Sequence, residues 1–81
     1  MEEIGIVEHF FSRIGVAAIK IKSGTLKIGD RIRIKGQTTD FEQVVESMEI
    51  NKQKINEAKA GDDIGIKVID RVREGDIVYK L

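Results

Sequence analysis

The chain has 81 residues, enough for one small domain over residues 1–81. It carries 14 basic and 14 acidic side chains and no cysteine, which excludes disulfides and thiolate metal sites and removes any general attraction to nucleic acid. No apolar run approaches the roughly 18 residues of a membrane helix, and a Met-Glu-Glu start has the wrong charge for a secretory signal. A cytoplasmic protein with no membrane partner is the expectation.

Residues 4–11 form a β-branched and aromatic run. Residues 13–22 continue with Val16, Ala17, Ile19 and Ile21, and Ile19-Lys20-Ile21-Lys22 alternates with the period of a half-buried strand. Ser23-Gly24 is a turn signal. Arg31-Ile32-Arg33-Ile34-Lys35 alternates again until Gly36, and residues 37–40 read as a polar loop. Residues 41–50 predict a strand, as do 64–68 and 77–81. Between them, residues 51–60 (NKQKINEAKA) contain good helix formers with Ile55 and Ala58 three apart, which permits one helical turn and no long helix. Six short strands joined by glycine-containing turns predict an all-β barrel or sandwich. Its expected core is Ala17, Ile19, Ile21, Leu26, Ile32, Ile34, Val45, Ile64, Ile66 and Val68.

One pattern recurs: a basic residue, any residue, then Gly-Asp and a strand. It stands at KIGD (27–30), KAGD (59–62) and REGD (73–76). The segments between differ in length and pattern, so this is no repeat unit. No Gly-Lys pair exists, so it is no P-loop either. The mechanical reading remains: glycine allows positive φ at a tight corner, and aspartate hydrogen-bonds the backbone beside the strand. Asn-Lys-Gln-Lys at 51–54 is similar to a guanine-reading motif, but Lys54 stands where an aspartate would be needed. Catalysis has little to stand on. His9 is the only histidine, Ser12, Ser23 and Ser47 have no evident base, and Asp62-Asp63 reads as a solvated corner. A non-enzyme is expected, with no metal, no cofactor and no bound nucleotide.

The whole pattern resembles domain 2 of translational GTPases. Val16-Ala17 followed by Ser23-Gly24-Thr25-Leu26-Lys27-Ile28-Gly29-Asp30 is similar to the family's first blocks, and residues 45–50 with 55–65 to its second half. Similar members are elongation factor Tu, initiation factor 2 and the selenocysteine-specific elongation factor. The resemblance implies a single small closed antiparallel barrel of about six strands, Greek-key-like, here as a stand-alone domain without its GTPase neighbour. It also implies a contact for the end of tRNA at Glu49 and Lys52. Lys52 stands where elongation factor Tu carries an arginine, and Asn51 where it carries an aromatic residue.

A basic stretch gives a second candidate. Lys20, Lys22, Lys27, Arg31, Arg33 and Lys35 against Asp30 make a local charge of about +5. If the two strands pair as a hairpin, Lys20, Lys22, Arg31, Arg33 and Lys35 share one outer face. Such a face is either solvated protection of sheet edges or a patch for an RNA backbone. The expected function is a non-enzymatic, translation-associated binding module touching ribosomal RNA, tRNA or a translation factor, as a monomer rather than an oligomer. The alternative is a protein-interaction barrel unrelated to translation, derived from a domain of a larger enzyme.

Overall fold

The computed structural model describes residues 1–81, and the chain is all β. Ten strands follow one another: β1 (Glu2–Phe11), β2 (Val16–Ile21), β3 (Thr25–Lys27), β4 (Arg31–Lys35), β5 (Asp40–Val44), β6 (Met48–Ile50), β7 (Gln53–Ile55), β8 (Glu57–Lys59), β9 (Asp63–Lys67) and β10 (Ile77–Lys80). Eight form one antiparallel sheet in the order β5-β4-β10-β1-β2-β9-β6-β7, while β3 and β8 pair as a separate ribbon. β1 lies centrally and pairs with both β10 and β2. Its register shifts between Glu3 and Gly5 on one side and between Val7 and His9 on the other. Such irregularities bend a strand and sharpen its twist, which lets a sheet curl around a core.

The core is a cluster of 16 buried apolar residues. All ten residues expected from alternation are in it, joined by Ile4, Val7, Met48, Ala58, Val72 and Val78. Period two is visible in the burial: in β2 the side chains of Ala17, Ile19 and Ile21 are buried and their neighbours are only partly so. In β4 only Ile32 and Ile34 are buried.

Three sequence expectations are corrected. The chain has ten strands in place of about six, and the hydrogen-bond ladder of its eight-stranded sheet stays open, with β5 and β7 as its ends. The predicted strand at 41–50 breaks after Val44. Val45 makes the last bonds of the β4–β5 hairpin, donating its N–H to Asp30 O (2.8 Å) and accepting from Gly29 N–H (2.8 Å), and the chain then crosses to pair with β9. The possible helical turn in 51–60 is absent. Asn51 and Lys52 have φ of 52° and 65° and are the two central residues of a tight hairpin joining Ile50 to Gln53. Positive φ at both positions marks the turn whose twist matches paired strands. Ala58, the second apolar residue of that segment, is drawn into the core because β8 pairs with β3, a strand the sequence reading missed.

The Gly-Asp corners share one geometry. Gly29, Gly61 and Gly75 have φ of 95°, 99° and 93°. In each corner the aspartate N–H donates to the carbonyl three residues back: Asp30 to Lys27 (3.0 Å), Asp62 to Lys59 (3.0 Å) and Asp76 to Arg73 (3.1 Å). The aspartate carboxylate then accepts from the N–H of that same basic residue, at 2.8, 2.9 and 2.8 Å. Each turn is closed twice, and the glycine φ is one that residues with a Cβ rarely adopt. The mechanical reading holds: one turn, used three times, aims β4, β9 and β10.

Candidate functional site

The basic residues do not form one face. β2 and β4 are separated in the sheet by β10 and β1, so the expected hairpin between them does not exist. Most of their charges are also engaged. Lys20 Nζ lies 3.4 Å from Asp63 Oδ2 across the β2–β9 pair. Arg31 Nε donates to Glu42 at 3.3 Å. Arg33 makes two parallel bonds to Asp40, from Nε at 2.7 Å and from a terminal nitrogen at 2.8 Å. That fork raises the Arg33 pKa and holds the Asp40 carboxyl below its ordinary value. The cause is the next strand: β5 places Asp40 and Glu42 on the same face as the β4 arginines. Lys22 and Lys35 are exposed; Lys22 follows the last residue of β2, and Lys35 is the last residue of β4.

Glu49 is exposed on β6, opposite Lys54, and Lys52 is in the hairpin turn. His9 Nδ1 lies 3.2 Å from Glu74 Oε2, and its ring packs edge-on against Phe11 with centroids 4.5 Å apart. Ser12 lines the same surface hollow, but no hydrogen bond joins it to His9. Both partners of the His9–Glu74 contact are more than half exposed, so the pair is wet and confers no buried base.

The most organised surface lies elsewhere, along the outer side of β5. Gln43 faces inward on β5 and is 8% exposed. Its Nε2 donates to Lys67 O (2.9 Å), and its Oε1 accepts from Ile69 N–H (2.8 Å). The amide thus behaves as a peptide unit and ties the end strand to the segment after β9. A seam results, open on either side of this bridge. One cleft, of about 300 Å³, lies between Thr38, Thr39, Asp40 and Phe41 and the facing Asp70, Arg71 and Arg73. The other, of about 500 Å³, lies between Gln43, Val44 and Glu46 and the facing Lys67, Val68 and Ile69. Among these residues the sequence reading singled out only Val68, as core, and Arg73, as the start of a Gly-Asp corner; the others lay unremarked inside wider segments or outside them. One signal was legible: alternation from Phe41 to Val45 puts a glutamine on the core side, where an amide needs partners.

The curled antiparallel sheet and its repeated turn define a small all-β domain. A family profile for elongation factor Tu domain 2 matches residues 15–79, and the chain belongs to that family. Its similar relatives point away from translation. Over 80 residues it is 48% identical to an uncharacterized protease of Methanocaldococcus jannaschii, covering 98% of this chain and 19% of that protein. Over 72 residues it is 43% identical to a collagenase of Porphyromonas gingivalis, covering 88% of this chain and 20% of that protein. The chain thus spans about a fifth of the length of the curated relatives it matches, at 19% and 20%. In structure it is similar to the C-terminal domain of a candidate U32 peptidase from Geobacillus thermoleovorans, with a TM-score of 0.92, 19% identity and coverage of 99% of this chain and 100% of that one.

These relatives overturn the translation-associated expectation, including ribosomal RNA, tRNA and translation factors as partners. The domain fold is shared with translation factors. The geometry gives a physical reason why the RNA reading misled. It counted basic residues along the chain, and folding sets acids of β5 and β9 against three of them.

Proposed function

We propose that the chain is a non-catalytic protein-interaction domain of the kind that U32-type peptidases carry at their C-terminus. The observation that carries this reading is 48% identity, over 98% of this chain, to a protease of which it makes up only 19%. Peptide hydrolysis in such a protein then belongs to the remaining four fifths, and this domain contributes contacts to polypeptide. The wet His9–Glu74 pair and the ion-paired arginines are consistent with a binding role. In this reading residues 1–81 act as one cytoplasmic unit, and the curled sheet works as a barrel whose wall is completed at the Gln43 seam.

The test uses the purified protein with labelled casein, an unfolded polypeptide, and with ribosomes. Binding of casein by fluorescence anisotropy, with no release of casein fragments and no ribosome co-sedimentation at low salt, is the expected result. Casein hydrolysis that follows the protein through purification, salt-sensitive sedimentation with ribosomes, or failure to bind casein overturns the reading.

A further inference from the structure

β5 ends the sheet, so one of its two edges has no partner strand. The phase of its pairing with β4 decides which groups that edge offers. Gly36 N–H donates to Thr39 O (2.7 Å) at one end of the hairpin, and Val45 N–H to Asp30 O (2.8 Å) at the other. Antiparallel pairs alternate between bonded and non-bonded. Counting inward from both ends, Phe41 and Gln43 turn their backbone groups toward β4. Asp40, Glu42 and Val44 turn theirs outward, and none of those groups meets any backbone segment beyond the strand pair.

Protein edges are usually blunted by lysine, proline or a bulge. β5 has none of these: its sequence is DFEQV, its register with β4 is unbroken, and its two acids are drawn onto the β4 arginines. Beside the free edge run the two clefts of the seam. Val44 and Ile69, 41% and 73% exposed, flank one of them as an apolar pair that nothing covers. Arg71 and Arg73 line the other. Neither guanidinium is within 4.0 Å of a carboxylate, because Arg33 holds Asp40, and the Asp70 carboxylate accepts from the Arg71 backbone N–H.

We infer that this seam binds an extended polypeptide as an added strand on the outer edge of β5, with an apolar side chain against Val44 and Ile69 and an acidic side chain between Arg71 and Arg73. Unpaired, alternating backbone donors and acceptors are matched best by another backbone, and side-chain pockets beside them supply selectivity. Val44 and Asp40 are four residues apart, about 13 Å along a strand, so the acidic and apolar residues of the ligand are separated by roughly four positions. The inference rests on the protein-interaction reading and names its site.

The test titrates the isotope-labelled protein with a short acetylated and amidated peptide that alternates threonine and valine and carries glutamate at both ends, so that either strand direction is served. Amide shifts confined to residues 38–46 and 67–73 are expected. Methylating alternate peptide nitrogens removes the donors a strand needs and should weaken binding at least about tenfold. Arg71→Gln with Arg73→Gln, or glutamine for glutamate in the peptide, should weaken it about three- to tenfold. Val44→Pro removes one outward N–H. If that variant unfolds by circular dichroism, the methylated peptide still decides the matter. Shifts elsewhere, equal binding of the methylated peptide, or no shift at millimolar peptide overturns the site. Casein binding that persists alongside any of those results leaves the interaction reading standing and removes only this site.

Discussion

Asp76 differs from the other two corner aspartates in depth. It is 5% exposed, while Asp30 and Asp62 are half-buried. Its carboxylate closes the 73–76 turn and packs against Gly36, where a Cβ would run into it. Asp76→Ala therefore leaves the Arg73 N–H without its partner at a part-buried position and should cost about 1–3 kcal/mol, against about 1 kcal/mol for Asp30→Ala. Urea unfolding of both variants checks the ratio. Gly29→Ala forces a residue with a Cβ to φ of 95° and should cost about 1–2 kcal/mol. Two carboxyls give the protein opposite responses to acid. Asp40 is held low by the Arg33 fork, so the stability it contributes is present above its ordinary value and is lost as pH falls through its depressed pKa. Glu8 is raised, first by its hydrogen bond with Asp63, then by desolvation and by the Asp63 charge, with Lys20 opposing. Its stabilising share is full below the ordinary value of 4.5 and is lost as pH rises through the raised pKa. Glu8→Gln should accordingly raise the melting temperature at pH 7, and the gain should shrink toward pH 4. A gain that grows on acidification would contradict the Glu8–Asp63 contact.

At the scale of strands and turns, the hairpin between β6 and β7 carries a lysine where glycine is at ease. Asn51 tolerates positive φ, and Lys52 at 65° does so at a cost. Lys52→Gly should stabilise the protein by about 0.5–1 kcal/mol, the size expected when left-handed strain is relieved, less glycine's entropy cost in the unfolded chain. A fall in the urea midpoint would speak against the turn assignment. Gln43 is the corresponding weak point of the seam. Gln43→Leu keeps the volume but orphans Lys67 C=O and Ile69 N–H, at a cost of about 1–3 kcal/mol. The Ile69 amide should exchange with solvent much faster in that variant, while amides of β1 and β2 stay protected. The long elements were legible because alternation is a direct imprint of one buried face, as at Ile19-Lys20-Ile21 and Ile32-Arg33-Ile34. The short ones were not. β3 and β8 have three residues each and one buried side chain apiece, Leu26 and Ala58, too few for a period to register. Their existence depends on pairing with each other across more than thirty residues, which is tertiary information.

For the molecule as a whole, the family could be read from spaced blocks such as Ser23-Gly24-Thr25-Leu26 and Ala60-Gly61-Asp62, since these encode turns that the fold needs. Function was not encoded with them. Whether Arg31 and Arg33 are free or neutralised depends on which strand lies beside β4, and the seam residues Gln43, Ile69, Arg71 and Arg73 come together only when the sheet curls. The pairing of the first strand with the last has its own outcome. Glu2 is opposite Lys80 and Glu3 opposite Tyr79, so the two chain ends lie side by side in the middle of the sheet. Folding must bring residues from the two extremes of the polypeptide together before the central strand is complete, which predicts slow, cooperative folding, in about milliseconds to seconds. The same adjacency makes the position of the ends almost arbitrary. A circularly permuted chain, with Leu81 joined to Met1 by a few glycines and new ends cut between Asn51 and Lys52, should fold to the same structure. It should do so faster, because the pairing that once closed the longest loop would become a local one.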